Sequence, residues 1–357
     1  MSVRILDAMG REGFEELVAL YDRRSRLRGM LAVHDTSLGA AFGGIRRRAY
    51  SSENQALLDA LRLARAMTHK CVLADLPAGG AKLVVMDRDD LDREAAYRHI
   101  GRFVERQGGR YCTGPDLGSG DEELAWVAAE TRFATDPGPA GPGELADATA
   151  GGVFAGIRAA LEHQDGEADW RRRTVVVQGL GAVGSRLVRR LVAVGARVVA
   201  SDQVEARARE LARELDIEVV EAGAECAVRA DVFSPNAVGG VLHDVTLARL
   251  GARIVAGGAN NVLATTAHGD RLHEQGVLFV PDILISSGAI IRGVLFQLRG
   301  VREPVVDIEA RIHRRTAEIL DQARDDDRPP ARVALREAQR GLVRRRANRE
   351  PAAAHRP

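Results

Sequence analysis

A glycine-rich turn between two apolar, β-branched runs constrains the fold more than any other feature of this sequence. Gly179, Gly181 and Gly184 form a GxGxxG pattern in VVVQGLGAVG, directly after the strand-like run 174–177. A helical stretch follows, and then a second strand-like run, ARVVASD, which ends in Asp202. A strand, a glycine turn, a helix and a second strand with a terminal acid together predict a βαβ unit that binds a dinucleotide.

The spacing gives each glycine a predicted task. Gly179 permits the tight turn, Gly181 lets the backbone approach a pyrophosphate, and Gly184 lets the helix and the strand pack closely. The N-terminus of the helix presents unpaired N–H groups to the phosphates. Three more residues of the turn join the candidate site: Leu180, Ala182 and Val183. The alternative is that these glycines only turn the chain, and the complete βαβ context argues against it.

The acid at the end of the second strand predicts which dinucleotide binds. Asp202 can accept hydrogen bonds from the ribose hydroxyls, and its charge would repel a 2′-phosphate. Its neighbours Ser201 and Gln203 provide no arginine to offset that charge. We therefore expect NAD rather than NADP as the cofactor.

The chain as a whole predicts two α/β domains. Its 357 residues are enough for about two domains, and the densest Pro/Gly stretch, DPGPAGPGE at 136–144, is typical of a junction. After the junction, short Val/Ile/Leu-rich runs alternate with helical patterns, as in a parallel sheet with helices on both faces. We expect a substrate-binding and oligomerisation domain at 1–140, a Rossmann-like domain at 141–325 with a cleft between the two, and a C-terminal helix and basic tail at 326–357 that could pack back on the first domain.

Composition and charge argue against several functions. A formal net charge of +1 gives no electrostatic reason to bind nucleic acid or an anionic membrane, and no apolar run is long enough to span a bilayer. The three cysteines are far apart and form no CxxC pair, which argues against disulfides and zinc and favours the cytoplasm. No Cys/His spacing predicts a metal site. Arginines at four-residue spacing from Arg332 to Arg344 are interpreted as a solvated helix face, because no aromatic residues interleave with them as RNA binding would require.

Two lysines and an aspartate form a candidate catalytic group in the first half. Lys82 opens the apolar run after Gly79 and Gly80, a pair that would let the backbone approach a ligand. Lys70 ends a helical stretch, and Asp116 follows a strand in a Gly/Pro-rich loop. One lysine could hold an α-carboxylate while the other, with its pKa lowered, acts as a general base. The alternative is an ordinary surface lysine, and the sequence alone leaves open whether these residues meet.

Several motifs in a fixed order resemble the glutamate/leucine/phenylalanine/valine dehydrogenase family, most of all its leucine and phenylalanine branch. The resemblance runs from about residue 31 to 291 and is carried by LGAAFGGIRR, ALRLARAMTHKCVLADLPAGGAKLVV, GRYCTGPDLGSG, TAGGV, VQGLGAVG, AGGANNVL and HGDRLHEQGVLFVPDILISSG. It implies reversible oxidative deamination of an L-amino acid to a 2-oxo acid and ammonia. It also implies a homo-oligomer, a dimer or larger.

The resemblance implies roles for the candidate catalytic group. Lys82 is similar to the family's catalytic lysine, and Asp116 to the aspartate that moves protons with it. Lys70 is similar to the lysine that binds the substrate carboxylate. Gly43 and Gly44 match the glycine pair that lines the substrate pocket.

Further positions match the substrate pocket. Met67 matches a pocket methionine, while Phe42 stands where the family usually has an aliphatic residue. With Gly114, these side chains suggest an apolar pocket that admits a large side chain. Ser286, in ISSGAI, replaces an asparagine that usually helps to hold the substrate, and this departure predicts weaker substrate binding.

The resemblance also adds residues to the cofactor site. Thr149 matches a threonine that hydrogen-bonds the nicotinamide carboxamide, Asn260 an asparagine near the nicotinamide ribose, and Ala237 a backbone contact to the cofactor.

We therefore expect an NAD-dependent dehydrogenase of a large aliphatic or aromatic L-amino acid. Two alternatives stay open. A glutamate-type dehydrogenase would need a cation for the substrate side chain, and neither Phe42 nor Gly114 is one. A catalytically impaired paralogue that binds NAD and has a regulatory role is the second, because of Ser286.

Overall fold

The structure, a computed structural model, describes residues 4–348, which divide into two compact units. The first unit contains the described residues up to Gly143, together with Gly293–Arg302 and the described residues from Ala338 onward. The second unit contains Glu144–Arg292 and Glu303–Glu337. The chain therefore leaves the second unit at residue 293, inside the range 141–325 that the sequence assigned to one domain, and returns to it at residue 303.

The first unit begins with a helix, two long strands and two short ones. These elements are α1 (Ile5–Glu12), β1 (Glu16–Asp22), β2 (Leu27–Asp35), β3 (Ala41–Phe42) and β4 (Ile45–Arg48). The elements that follow in this unit are α2 (Glu53–Leu73), β5 (Gly79–Met86), α3 (Arg93–Arg106), β6 (Tyr111–Cys112) and α4 (Asp121–Ala128). The apolar run MLAVHD lies within β2, and β1 is its hairpin partner.

The sheet of the first unit is mixed and is built around β5. Its order is β1-β2-β5-β3-β6, and β4 also pairs with β5. β1 and β2 pair antiparallel, as do β2 and β5, while β3 and β4 run parallel to β5. Residues of β5 are buried from Gly79 to Val85, as expected for a strand that is covered on both faces. The apolar face of α2 packs on one side of the sheet, and α3 lies on the other.

The helix α2 begins with a side-chain cap. The side chain of Ser52 accepts a hydrogen bond from the backbone N–H of Gln55, which caps the helix. The side chain of Gln55 accepts a hydrogen bond from the N–H of Ser51 at 2.9 Å. In a capping box it would accept the N–H of the cap residue Ser52 instead. Lys70 lies in the last turn of α2.

The second unit begins with a helix and a βαβ unit. Its elements up to the sheet centre are α5 (Leu145–Asp165), β7 (Thr174–Gln178), α6 (Ala182–Ala193), β8 (Arg197–Ser201), α7 (Glu205–Leu215), β9 (Glu218–Val219) and β10 (Ala230–Pro235). They are followed by α8 (Asp244–Leu247), β11 (Ala252–Val255), α9 (Thr266–Glu274), β12 (Leu278–Phe279), α10 (Asp282–Ile285), α11 (Gly288–Arg299), α12 (Val305–Asp325) and α13 (Pro330–Ala347). Because α5 begins at Leu145, Thr149 lies in its second turn.

The sheet of the second unit is wholly parallel, in the order β12-β11-β10-β7-β8-β9. This order places the first βαβ unit at the centre, with the chain moving outward first to one side and then to the other. It is the order of a doubly wound dinucleotide-binding fold, in which ligands bind where the direction of winding reverses. The prediction of an α/β protein with a Rossmann-like sheet is confirmed.

The end of α13 is fixed to the first unit by arginine side chains. Arg346 donates to the carboxylate of Asp35 at 2.8 Å, and Arg345 donates to the carbonyl oxygen of Leu76 at 3.0 Å. Residues 349–357, which are part of the predicted range 326–357, lie outside the described residues. Within residues 4–348, no helix combines the length and the apolar character that crossing a membrane would require. The same stretch contains no group of three or more His, Cys, Asp or Glu side chains placed to hold a metal ion.

Candidate active site

Lys82 and Asp116 meet in the first unit, although 34 positions separate them. Lys82 lies in the middle of β5 with only 4% of its surface exposed. Its Nζ lies 3.0 Å from Oδ2 of Asp116. A lysine so deeply buried is rare unless it is paired. The structure therefore brings together two of the three candidate residues, Lys82 and Asp116.

The loop that carries Asp116 is held along β4 by backbone hydrogen bonds. The N–H of Ile45 donates to Gly114 at 3.0 Å, and the N–H of Arg47 donates to Leu117 at 2.9 Å. β4 itself pairs in parallel with β5. Asp116 is therefore positioned by the pairing of its loop with β4 and by the pairing of β4 with β5. Both pairings join residues that are distant in sequence.

Gly43 and Gly44 sit where the backbone has no room for a side chain. A Cβ on Gly43 would lie 1.7 Å from the carbonyl oxygen of Ala81, and a Cβ on Gly44 would lie 2.4 Å from that of Pro115. The pair therefore brings the chain against the residues that directly precede Lys82 and Asp116. Glycine is required here for close approach of backbone to backbone.

Gly79 and Gly80 serve the fold rather than a ligand, contrary to the expectation from the sequence. A Cβ on Gly79 would lie 1.7 Å from the carbonyl oxygen of Asp35, and a Cβ on Gly80 would lie 2.1 Å from the backbone nitrogen of Thr68. Protein atoms fill the space where a ligand was expected. The second glycine lets α2 lie directly against β5, which positions the helix that carries Lys70.

Arg46 is a member of the site that sequence reasoning missed. Its Nε donates to Oδ2 of Asp116 at 2.7 Å, the same oxygen that Lys82 contacts, and its Nη1 lies 3.5 Å from Asp59. Asp59 in turn accepts hydrogen bonds from Tyr50 at 2.8 Å and from Arg62 at 2.7 Å. The signal that could have found Arg46 is its place two residues after the glycine pair, in GGIRR.

The charges of this group control its proton affinities. Burial lowers the pKa of Lys82 below its usual range, with the Arg46 cation lowering it further and Asp116 opposing the change. Burial by itself would raise the pKa of Asp116, but the charges of Lys82 and Arg46 outweigh it and hold that pKa at about 2. The result is an ionised carboxylate beside an amine that gives up its proton more easily than an ordinary lysine.

Apart from Ser286, the other candidate substrate residues lie in the same unit. Lys70 is buried in the last turn of α2, and Met67 is half-buried one turn earlier. Phe42 is buried in β3. Gly114 does not leave the space that the sequence suggested, because a Cβ there would lie 2.8 Å from Oγ1 of Thr135.

In the second unit, the glycine turn has the geometry that its spacing predicts. Gly179 has a φ of +85°, and a Cβ on it would lie 2.7 Å from the Cβ of Ala237. A Cβ on Gly184 would lie 1.8 Å from the carbonyl oxygen of Gly179, so helix and turn are in direct contact. A Cβ on Gly181 meets nothing within 4 Å. Open space in front of a backbone at the N-terminus of α6 fits a pyrophosphate.

The acid Asp202 is attached to this turn. Its carboxylate accepts hydrogen bonds from the N–H of Leu180 at 2.7 Å and from that of Val204 at 2.8 Å. Arg207, on α7, lies 3.2 Å from the same carboxylate. Arg207 therefore offsets part of the charge of Asp202, which the adjacent Ser201 and Gln203 do not. Arg207 was missed because only the adjacent residues had been considered, and one turn of helix brings it back.

The remaining cofactor candidates surround the turn. Ala237 is exposed beside Gly179, and a Cβ on Gly239, in the same loop, would lie 2.4 Å from the carbonyl oxygen of Asn260. Asn236 links the two loops, since its side chain accepts the N–H of Gly258 at 2.9 Å. Sequence reasoning missed Asn236, whose signal is its position at the end of the central strand β10.

Thr149 and Ser286 lie close together in the second unit. The hydroxyl of Thr149 donates to Leu145 within its own helix and accepts the N–H of Ala289 at 3.3 Å. Ser286 ends the short helix α10 and donates its hydroxyl to the carbonyl oxygen of Asp282 at 2.6 Å. Its side chain is therefore engaged within its own turn, in the unit that does not contain Lys82.

Two descriptions of one dehydrogenase family match the chain. Residues 19–133 match the Glu/Leu/Phe/Val dehydrogenase dimerisation domain, and residues 143–206 match the Glutamate/Leucine/Phenylalanine/Valine dehydrogenase domain. Over 351 residues the chain is 34% identical to a leucine dehydrogenase of Thermoactinomyces intermedius, covering 97% of this chain and 96% of the relative. The chain belongs to the Glu/Leu/Phe/Val dehydrogenase family.

Other members of the family agree with this assignment. A valine dehydrogenase of Streptomyces albus is 37% identical over 344 residues, which is 94% of each chain. Among solved structures, the L-tryptophan dehydrogenase of Nostoc punctiforme aligns with a TM-score of 0.82 and 31% identity, covering 96% of this chain and 99% of the other. A hetero-hexameric glutamate dehydrogenase of Thermus thermophilus aligns with a TM-score of 0.75 at 22% identity, a likeness that shows the shared fold. As a member of the family, the chain is an amino-acid dehydrogenase and uses a nicotinamide dinucleotide.

Proposed function

We propose that the protein catalyses the NAD-dependent, reversible oxidative deamination of an apolar L-amino acid to a 2-oxo acid and ammonia. The observation that carries this proposal is the buried pair of Lys82 and Asp116, whose charged atoms lie 3.0 Å apart. A buried amine with a lowered pKa, next to an ionised carboxylate, is a general base with a proton carrier beside it.

Binding is proposed to involve both units. Lys70, in the last turn of α2, holds the substrate carboxylate and so orients the Cα–H bond. A bound nicotinamide dinucleotide supplies the acceptor for the hydride that leaves Cα. The residues of the second unit fit such a group, because Gly181 opens onto free space at the N-terminus of α6 and Asp202 lies at the end of the next strand.

Two residues carry out the proton steps that follow. Loss of the hydride from Cα and a proton from nitrogen leaves an iminium ion on the substrate. Neutral Lys82 takes a proton from water as the water oxygen bonds to that carbon. Asp116 then takes that proton from Lys82 and passes it to the amino nitrogen. The C–N bond breaks and ammonia leaves, while Lys82, neutral again, takes the hydroxyl proton as the carbonyl group forms. The Lys82–Asp116 contact is the path for the first of these protons.

An apolar substrate side chain is proposed because Phe42 is buried in the first unit beside the glycine pair. An unpaired charge buried against such a surface would be costly. The relatives are named leucine, valine and tryptophan dehydrogenases, which agrees with large aliphatic or aromatic substrates. Since a cation near the substrate side chain is not among the pocket positions assigned, a preference for glutamate is disfavoured.

We propose NAD as the dinucleotide because Asp202 would meet a 2′-phosphate with like charge, even though Arg207 offsets part of that charge. We also propose a cytoplasmic homo-oligomer. The match to a dimerisation domain supports self-association, and the three cysteines of the described chain are free and buried, as in proteins of a reducing compartment.

A screen of L-amino acids for NAD reduction tests the proposal directly. Leucine-like and phenylalanine-like substrates should be used with a higher kcat/KM than glutamate, aspartate or lysine. A preference for glutamate would place the chain in the glutamate branch. Binding of NAD without oxidation of any amino acid would instead support an impaired, regulatory paralogue. Light scattering of the purified protein reports the oligomeric state.

A further inference from the structure

We propose that Arg46 is a positioning residue that bridges Asp116 and Asp59, and so holds the Asp116 carboxylate against Lys82 while keeping that amine available as a base. This inference rests on the proposed function, because it assigns a task within the same reaction. It starts from geometry: Arg46 Nε and Lys82 Nζ approach the same oxygen of Asp116, at 2.7 and 3.0 Å.

The backbone fixes Arg46 in this position. β4 pairs in parallel with β5, and Arg46 stands opposite Val84. Val84 is two residues from Lys82, so both face the same side of the sheet. That side is covered by α2, which supplies Asp59. The guanidinium, whose side chain is 11% exposed, is therefore held between two carboxylates on different elements.

A second oxygen of Asp116 stays available because both cations share Oδ2. Lys82 alone could draw the carboxylate into a closed ion pair, in which the amine would stay protonated. Arg46 competes for the same oxygen and adds a positive charge near the amine. Both effects favour the neutral amine. The planar guanidinium of Arg46 can contact both carboxylates at once. The ammonium group of a lysine, on a shorter side chain, cannot.

The titration of Lys82 can be distinguished from that of the groups that surround it. The titratable and charged side chains on or beside the elements packed against β5, within the described residues, include His34 and Asp35 on β2, Arg46, Arg47 and Arg48 on β4, Asp59, Arg62, Arg65, His69, Lys70 and Cys71 on α2, Tyr111 and Cys112 on β6, and Asp116 in the loop beside β4.

Most of these groups keep one charge state between pH 6 and 10. Burial lowers the pKa values of His34 and His69 to about 4. Burial raises the pKa of Cys112 to about 12 and that of Tyr111 still higher. The pKa of Asp116, as described above, is about 2. The titration of a lysine within this window can therefore be distinguished from that of these groups.

The sequence makes that lysine easy to observe, since Lys70 and Lys82 are the only lysines in the chain. Protein labelled with ¹³C at the lysine Cε atoms gives two signals, which Lys70→Arg assigns. Their titration can be followed without any enzymatic turnover. Failure of the proposed function and failure of this inference are thereby distinguishable.

The main variant is Arg46→Gln, which removes the cation and keeps a polar side chain. Lys82 then faces Asp116 alone, so its titration midpoint and the acid limb of kcat/KM should both move to higher pH by about one unit. Because only the neutral amine acts as a base, activity at pH 7 falls while activity at high pH recovers. A midpoint and an acid limb that stay at the wild-type position would overturn the proposal.

Arg47→Gln is the matched control. Arg47 is the next residue of the same strand, its side chain is 15% exposed, and it pairs with Asp87 at 2.7 Å and with the carbonyl oxygen of Gly118 at 2.9 Å. It therefore supports the same loop without contacting the carboxylate of Asp116. Its acid limb should stay in place. An equal shift in both variants would attribute the effect to a loosened loop and refute the bridging role.

If Arg46→Gln does not fold, Arg46→Lys tests the proposal instead. A lysine keeps the charge but cannot contact Asp116 and Asp59 together. The acid limb should then stay near its wild-type pH, while kcat falls by about tenfold because the carboxylate is misplaced. Wild-type kcat in Arg46→Lys would contradict the bridging role.

Discussion

The two candidate sites of this dehydrogenase are built in opposite ways. In the first unit, charged side chains from three elements are buried and paired with one another around Lys82. In the second unit, the glycine turn leaves open space at Gly181 and presents its backbone to it. The first site acts through proton affinities that burial has shifted, and the second through the absence of side chains. Substitutions should therefore damage the two sites by different routes.

The largest expected effect separates the two lysines of the first site. Lys82→Arg keeps a positive charge but removes a group that can lose its proton, because arginine stays protonated at any working pH. We expect kcat to fall by at least ~10²-fold, as loss of a general base does. Lys70→Arg keeps a cation that can bind a carboxylate and should lose much less, mainly through a higher substrate KM.

Steady-state kinetics of both variants with the best amino acid decide this point, with circular dichroism to confirm folding. Near-normal kcat in Lys82→Arg would show that Lys82 is not the base. The same argument explains why a chain that otherwise uses arginine rather than lysine keeps a lysine at position 82, since only lysine can alternate between charged and neutral forms.

The second prediction compares one glycine from each site. Gly43→Ala would place a Cβ 1.7 Å from the carbonyl oxygen of Ala81, so β5 must move and Lys82 with it. We expect a lower melting temperature and at least ~10-fold lower kcat, because small displacements of catalytic groups are costly.

Gly181→Ala should behave in the opposite way. Its Cβ meets no protein atom within 4 Å, so the free energy of unfolding should change by no more than ~0.5 kcal/mol. The KM for NAD should rise instead, because the methyl group occupies the place proposed for the pyrophosphate. Thermal unfolding and cofactor KM values for both variants give the answer. A stable Gly43→Ala with normal kcat would break the contrast drawn between the sites.

How far the sequence predicts each site follows from this contrast. The glycine turn is contiguous, and its spacing alone predicted the turn at Gly179, the helix contact at Gly184 and the acid at Asp202. The first site depends on pairing between distant strands, which no local pattern reveals. Arg46 reaches Asp116 only because β4 lies beside β5 and the loop lies beside β4. In the second unit, the contact between Arg207 and Asp202 was not predicted because the two residues are not adjacent in sequence. Helix α7 brings the Arg207 side chain back to the carboxylate.

The third prediction concerns the balance between Asp202 and Arg207. Asp202→Ala removes the repulsion of a 2′-phosphate and leaves Arg207 without its partner at 3.2 Å. The ratio of kcat/KM for NAD to that for NADP should fall by about tenfold, the size of a single charge contact of ~1.4 kcal/mol. Arg207→Ala should raise the same ratio.

Arg209→Ala serves as the control for these cofactor measurements. Arg209 lies on the same helix and pairs with Glu205, and it is exposed. Its removal should leave the ratio unchanged. If the unmodified protein already uses both dinucleotides equally, the proposed role of Asp202 is wrong. A change of the ratio in Arg209→Ala would mean that the general charge of α7 matters more than the Asp202–Arg207 pair.

The smallest expected effect lies at Ser286, where the family usually has asparagine. The hydroxyl of Ser286 donates to Asp282 at 2.6 Å, so it is engaged within its own turn, and the longer amide of an asparagine could instead bond to a ligand. We expect Ser286→Asn to lower substrate KM about fivefold, which corresponds to one amide hydrogen bond of ~1 kcal/mol. Ser287→Ala is the control, because that fully buried hydroxyl bonds to Leu284 and should affect stability rather than KM. Loss of activity in Ser286→Asn would mean that the serine fits a substrate of different shape, and the side-chain preferences of the relatives would then not apply to this chain.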